Sequence, residues 1–139
     1  MIILDTNVIS EPLRAHPAPS VAAWAQTLAD KRVCTTAVTV GELAYGIARL
    51  PEGRRKQGLA AGVAAALTAL GPGGVIPYDN TAAELVGAII IEREHAGHPI
   101  QQADAQIAAI CRATGATLAT RNTPDFEGLG LVIINPWDA

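Results

Sequence analysis

The sequence predicts an α/β fold built on a parallel sheet. Three observations carry this. Short apolar runs alternate with longer segments of helical periodicity, and brief Gly/Pro breaks separate them. Aromatic residues make up only 4% of the chain, so Ala, Val, Ile and Leu carry the apolar load, as helices packed on short β-branched strands require.

The elements follow in order. Ile2–Leu4 is apolar and short, a buried strand that ends at Asp5. Asp5-Thr6-Asn7 opens a turn of helix that Pro12 interrupts. Pro19-Ser20 starts a helix whose positions Val21, Trp24, Ala25 and Leu28 keep the 3.6-residue period. Residues 32–35 form a second strand. A helix runs from Thr39 to about Leu50, with Val40, Leu43, Ala44, Ile47 and Leu50 on one face. Pro51-Glu52-Gly53 breaks it, and an Ala-rich helix continues to Leu70. Gly71-Pro72-Gly73-Gly74 is a loop of turn formers. Residues 75–76 are a third strand, and Asp79 to about Ala96 is a helix. After Gly97-His98-Pro99 a further helix spans 101–113 and stops at Gly115. Residues 116–120 and 131–134 are the last strands. The helical pair between the second and third strands is expected to project as an arm. It carries the one basic cluster: Arg49, Arg54, Arg55 and Lys56.

The 139 residues fit one domain, 1–139, of a size that buries about 70% of its unfolded surface. With 50% hydrophobic and 17% charged residues, the composition is that of a cored protein, not a disordered one. No apolar run approaches the roughly 18 residues of a membrane span. Met1-Ile2-Ile3-Leu4-Asp5 lacks the basic start of a signal peptide, so a cytoplasmic location is expected. Cys34 and Cys111 have no ligand-like spacing and read as buried free thiols. The formal net charge of −3 argues weakly against nucleic acid, because acids that bind a metal recruit phosphate through the ion.

Ligands of parallel sheets sit beyond the carboxyl ends of the strands, and several acids fall there. Asp5 directly follows a strand, although it also suits a helix cap. Thr39-Val40-Gly41-Glu42 matches a capping box, yet places Glu42 near the same edge. Asp104 heads a helical stripe completed by Ile107, Ala108 and Cys111, where an acid is costly unless paired or metal-bound. Its alternative is a favourable place in the first turn of a helix. Asn122 and Asp125 follow the next strand. There Pro124 suits a first helical position, with Thr123 as its cap. Asp79 reads as a plain cap, with Thr81-Ala82-Ala83-Glu84 a second possible capping box. Clustered carboxylates are hard oxygen donors suited to Mg²⁺ or Mn²⁺, whereas zinc lacks its Cys/His set; His95 and His98 straddle a helix-breaking glycine. No nucleophile elbow or phosphate-binding loop is present, and Asn7 stands where an aspartyl phosphatase needs its second Asp.

Four blocks then fall in one order along the whole chain: Leu4-Asp5-Thr6-Asn7, Thr39-Val40-Gly41-Glu42-Leu43, Ala103-Asp104-Ala105-Gln106-Ile107-Ala108, and Ala119-Thr120-Arg121-Asn122-Thr123-Pro124-Asp125-Phe126. In these blocks the chain resembles PIN-domain ribonucleases, specifically the VapC-type toxins. The resemblance implies a three-layer fold, with a short parallel sheet flanked by helices. It implies an acidic pocket in which Asp5, Glu42 and Asp104 hold Mg²⁺ or Mn²⁺, with Asn122 at a fourth catalytic position that often holds Asp. It further implies Thr6 as a supporting hydroxyl, Asn7 and Arg121 as further contacts, and cleavage of single-stranded RNA. Homodimers and a cognate antitoxin that reaches operator DNA complete the expectation. The alternative is a PIN-fold module that has lost catalysis and acts by binding antitoxin and nucleic acid.

Overall fold

The computed structural model describes residues 1–139. The strands are β1 (Ile2–Leu4), β2 (Val33–Thr36), β3 (Val75–Ile76), β4 (Thr117–Ala119) and β5 (Ile133–Ile134). The helices are α1 (Thr6–Ser10), α2 (Pro19–Gln26), α3 (Ala37–Ala48), α4 (Arg54–Ala69), α5 (Asn80–His95) and α6 (Gln102–Thr114), with 3-10 turns at Glu11–Leu13 and Thr123–Phe126.

The five strands form one sheet in the order β3-β2-β1-β4-β5, and every neighbouring pair is parallel. Central β1 is in register with both sides: Ile2 lies opposite Val33 of β2 and Thr117 of β4. The chain steps outward from β1 to β3, then returns to β4 on the far side of β1. Right-handed crossovers therefore place α1–α4 on one face and α5–α6 on the other. Period-two alternation along the strands supplies both cores. Ile3, Cys34 and Leu118 face the α5–α6 layer, packing with Val86, Ile89, Ile107 and Ile110. Ile2, Leu4, Ala119 and Ile134 face the opposite way, toward Val8 and Trp24. The α3–α4 pair is tied down by a smaller cluster of Ile9, Leu43 and Val63.

The alternating pattern, the parallel sheet and the two helical layers are as the sequence predicts. Several boundaries shift by a residue or two, β4 among them at Thr117–Ala119 against the expected 116–120, and three of the shifts have a clear physical reason. Strand β2 runs one residue further than expected and passes straight into α3, whose cap is Thr36: its Oγ1 accepts the Thr39 N–H at 3.0 Å. Thr39 is therefore inside the helix, and the expected capping box with Glu42 does not form. Helix α2 ends at Gln26, because the Thr27 N–H and hydroxyl both turn back on the Trp24 carbonyl. Strand β5 is shorter than expected; its one neighbour, β4, is itself only three residues long.

The crossover into β3 depends on Gly74. A Cβ there would come within 2.5 Å of Leu70 Cβ and within 2.9 Å of two backbone oxygens, and backbone cannot step aside. The same residue's carbonyl accepts the Thr35 N–H at 2.8 Å, which registers β3 against β2. Gly74→Ala is expected to cost about 1–3 kcal/mol, the range for overfilling a packed site. Urea unfolding measures this, and an unchanged midpoint would show that the turn relaxes freely.

Candidate active site at the carboxyl edge of the sheet

The order of strands reverses between β1 and β4, which opens the crevice where parallel sheets bind ligands. Asp5 follows β1 into that crevice and Thr120 follows β4. The Thr120 hydroxyl donates to Asp5 Oδ2 at 2.7 Å, while the Thr6 N–H donates to Asp5 Oδ1 at 2.8 Å. Asp5 is 5% exposed and also occupies the cap position of α1, so its structural and pocket positions coincide. Burial raises its pKa above the ordinary carboxylate value, against the two hydrogen bonds that lower it, and Asp125 adds a further raise.

Glu42 comes from the second turn of α3, not the first turn expected from the capping reading. Its Oε1 accepts the Thr6 hydroxyl at 2.9 Å. Thr6 thus donates with its N–H to one acid and with its hydroxyl to another, fixing Asp5 and Glu42 relative to each other.

Asp104 lies in the first turn of α6 and heads the expected stripe, with Ile107, Ala108 and Cys111 fully buried below it. Unlike the other two acids, its carboxyl has no hydrogen-bond donor from the protein. Burial, then the negative charges of Asp5, Asp125 and Glu42, raise its pKa to about 6; Arg93 pulls the other way. The three acids predicted from sequence are thereby brought into one electrostatic field. The buried Cys111 thiol below them is pushed up to about 12, chiefly by burial, and both cysteines are free.

The fourth position is different. Asn122 is exposed; its N–H bonds the Thr120 hydroxyl at 3.0 Å, and its side chain makes no hydrogen bond. It also occupies the cap position of the 3-10 turn that had been expected for Thr123. Asp125, one turn on, is the residue whose charge reaches Asp5 and Asp104. Its segment is held by Arg93 from α5, which is 7% exposed and donates from Nη1 to the Pro124 and Glu127 carbonyls at 3.1 and 2.9 Å. Nearby, Asn7 Oδ1 accepts the Arg121 N–H at 3.2 Å, and the Arg121 guanidinium lies 5.1 Å from the Trp137 ring centre.

Sequence reasoning did not pick out Thr120 or Arg93. Both had a signal. Thr120 follows β4 as Asp5 follows β1, and Arg93 interrupts the apolar stripe of Val86 and Ile89. Elsewhere, Asp79 is the cap it was read as, accepting the Ala82 N–H at 3.0 Å, while Glu84 takes the Asn80 side-chain amide instead of closing a capping box. His95 and His98 are exposed.

No set of three His, Cys, Asp or Glu side chains is already arranged as a metal cage. The donor chemistry still fits a hard divalent ion that keeps several waters and uses one or two carboxylates, since Glu42 Oε2 and both Asp104 oxygens have no protein partner. No helix is long and apolar enough to cross a membrane.

The raised pKa of Asp104 fixes a sign. Between about 3.8 unfolded and about 6 folded, the native state holds more protons than the unfolded chain. Stability of the metal-free protein should be greatest below this window and fall as pH rises through it. Asp104→Asn should flatten that fall and raise stability at neutral pH by on the order of 1 kcal/mol, allowing for water at this half-buried carboxyl. Urea unfolding across the acid range in EDTA checks it; a variant less stable than wild type at neutral pH would make Asp104 a structural helix-start residue.

Comparison with known proteins gives this geometry a context. The PIN domain family matches residues 2–128. Over all of both chains, the sequence is 40% identical to the plasmid stability protein StbB of Pseudomonas syringae pv. tomato. It is 38% identical to VapC ribonuclease Y4jK of Sinorhizobium fredii and 38% identical to Toxin FitB of Neisseria gonorrhoeae, in each case over 99% of both chains. Among solved structures it superposes on FitAcB from Neisseria gonorrhoeae with a TM-score of 0.90 at 37% identity, covering all of both chains. FitAB bound to an IR36 DNA fragment gives the same TM-score and identity over 99% of this chain and 96% of that one. With the fold, the order of its sequence blocks and its full-length relatives in agreement, the chain belongs to the PIN-domain family.

Proposed function

We propose that this chain is a metal-dependent endoribonuclease, the toxin half of a bacterial toxin–antitoxin pair. The observation that carries the reading is the convergence of Asp5, Glu42 and Asp104 on one crevice, where burial first, and then the charges of Asp5, Asp125 and Glu42, raise the pKa of Asp104 to about 6. Acids left in mutual repulsion, with little countercharge from the protein, suit a bound cation. The VapC and FitB relatives support ribonuclease chemistry, and FitAB on DNA supports a partner subunit that links a toxin of this kind to operator DNA. Assembly as a homodimer belongs to the same proposal.

Asp5, Glu42 and Asp104 would hold Mg²⁺ or Mn²⁺. When bound, such an ion supplies positive charge against the scissile phosphate and acidifies the attacking water. The protein's own groups do the rest. Asp5 is locked by its two donors and defines the fixed wall of the pocket. Thr6 holds one oxygen of Glu42, leaving Oε2 to accept a hydrogen bond from water and so orient it. Asp125 contributes charge from the rim where Asn122 contributes none, and the Arg93 clamp keeps it there.

Isothermal titration with Mn²⁺, beside a cleavage assay on single-stranded RNA, tests the reading. Asp104→Asn should abolish cleavage and weaken Mn²⁺ binding. Equal affinity in the two proteins would place the metal elsewhere, and RNA binding without cleavage in the metal-loaded wild type would favour a binding module. Thr6→Val should fold normally but lose about 10–100-fold in Mn²⁺ affinity, the usual cost of removing a group that orients a ligand.

A further inference from the structure

Beside the acidic pocket lies a basic trough that the reaction centre does not use. One cavity, of about 240 Å³, is bordered by Thr6, Ser10, Glu42 and Arg55. The next, of about 770 Å³, is bordered by Ser10, Arg14, His16, Arg54, Arg55 and Leu59. Ser10, Arg55 and Leu59 line both, so the trough runs into the pocket that holds Glu42.

The basic cluster recognised in the sequence divides here. Lys56 is taken by Glu52 at 2.6 Å, and Arg49 lies 5.7 Å from the centre of the Tyr45 ring. Arg54 and Arg55 are exposed and pair with no acid, although they stand in the first turn of α4, where the helix dipole disfavours cations. Arg14 joins them from a distant part of the chain. It reaches Glu11 at 3.3 Å yet keeps 61% of its side chain exposed. Leu13 packs against Gly62 of α4, where a Cβ would come within 2.8 Å of the Leu13 side chain, and this contact sets Arg14 beside the start of α4.

We propose that this trough carries the sugar–phosphate backbone of single-stranded RNA into the acidic pocket, with Arg14, Arg54 and Arg55 meeting phosphates. The inference rests on the ribonuclease reading above. RNA is favoured over a protein partner because the larger cavity is concave and lined by three arginines and a histidine with no acid among them, a surface suited to successive phosphates. With arginines directed at phosphates and no Phe, Tyr or Trp in the lining, the trough tracks the backbone and does not specify sequence.

The test is fluorescence anisotropy of a labelled oligouridylate, titrated with full-length protein carrying Asp104→Asn to stop cleavage, from about 50 to about 200 mM salt. Each of Arg14→Ser, Arg54→Ser and Arg55→Ser should flatten the plot of log affinity against log salt by about 0.7, and the triple variant by about 2. Lys31→Ser removes the same charge away from the trough and should leave the slope alone. An unchanged slope in the triple variant, with its melting temperature intact, overturns the proposal. Loss of antitoxin binding at an unchanged RNA slope also overturns it, by assigning the trough to a protein. Cleavage by Mn²⁺-loaded wild type is measured alongside: cleavage with an unchanged slope removes the trough alone, whereas no cleavage with the predicted slope change removes the nuclease reading and keeps the trough as an RNA surface.

Discussion

The arrangement at this site depends on one buried carboxylate. Asp5 is almost fully withdrawn from water, where an unpaired anion would cost several kcal/mol. Its two oxygens are met from two directions, by the Thr6 N–H that begins α1 and by the Thr120 hydroxyl that follows β4. Thr120 is itself registered to β5, because its N–H donates to the Ile134 carbonyl at 2.9 Å. Satisfying Asp5 therefore requires β1, β4 and β5 to be paired as they are. The reversal of strand order and the geometry of the pocket are one constraint.

The three acids are not treated alike. Asp5 receives two protein hydrogen bonds, Glu42 one and Asp104 none. The least supported carboxyl is also the one whose pKa rises to about 6, and it stands on an otherwise dry helical stripe. Arg93 is the cation placed to answer this charge, yet Nη1 is committed to two carbonyls of the Asp125 segment and the buried Nε has no partner. The fold thus keeps the positive charge on the loop and leaves the pocket acidic. That departure from local stability is in keeping with the metal site proposed above.

Most of this was legible in the sequence, and the reasons are local. Short β-branched runs between Gly/Pro breaks gave the strands, and an acid immediately after a strand or atop an apolar stripe marked Asp5 and Asp104. Glu42 was found as a pocket residue although its supposed capping role was wrong: Thr36 and Thr39 both suit a cap, and only the extension of β2 by one residue decides between them. The balance between Asn122 and Asp125 was not legible. It depends on a 3-10 turn whose carbonyls are gathered by an arginine about 30 positions earlier in the chain. The division of the basic cluster was equally hidden, since Glu52 pairs with Lys56 and Arg49 lies over the Tyr45 ring by geometry, and Leu13, the neighbour of Arg14, packs on Gly62.

Threonine is the residue that reconciles these demands. Thr35, Thr36, Thr39 and Thr120 are all fully buried at the carboxyl edge. Each hydroxyl there meets a specific need: Thr35 donates to the Leu4 carbonyl at 2.8 Å, Thr36 caps α3, Thr39 accepts the Thr36 hydroxyl at 3.1 Å, and Thr120 serves Asp5 while accepting from the Asn122 N–H. A β-branched side chain suits a strand, and a hydroxyl both donates and accepts without charge. At Thr120 and Thr6, the two threonines that touch acids, a lysine or arginine would satisfy the carboxylates more strongly and cancel the field they create. Serine would give the same hydrogen bonds but less of the stiffness that holds them in line. Asp5 and Glu42 are therefore oriented by neutral donors on Thr6 and Thr120 that do not neutralise them, while the other threonines hold the edge itself, which keeps a negative pocket intact inside a well-packed fold.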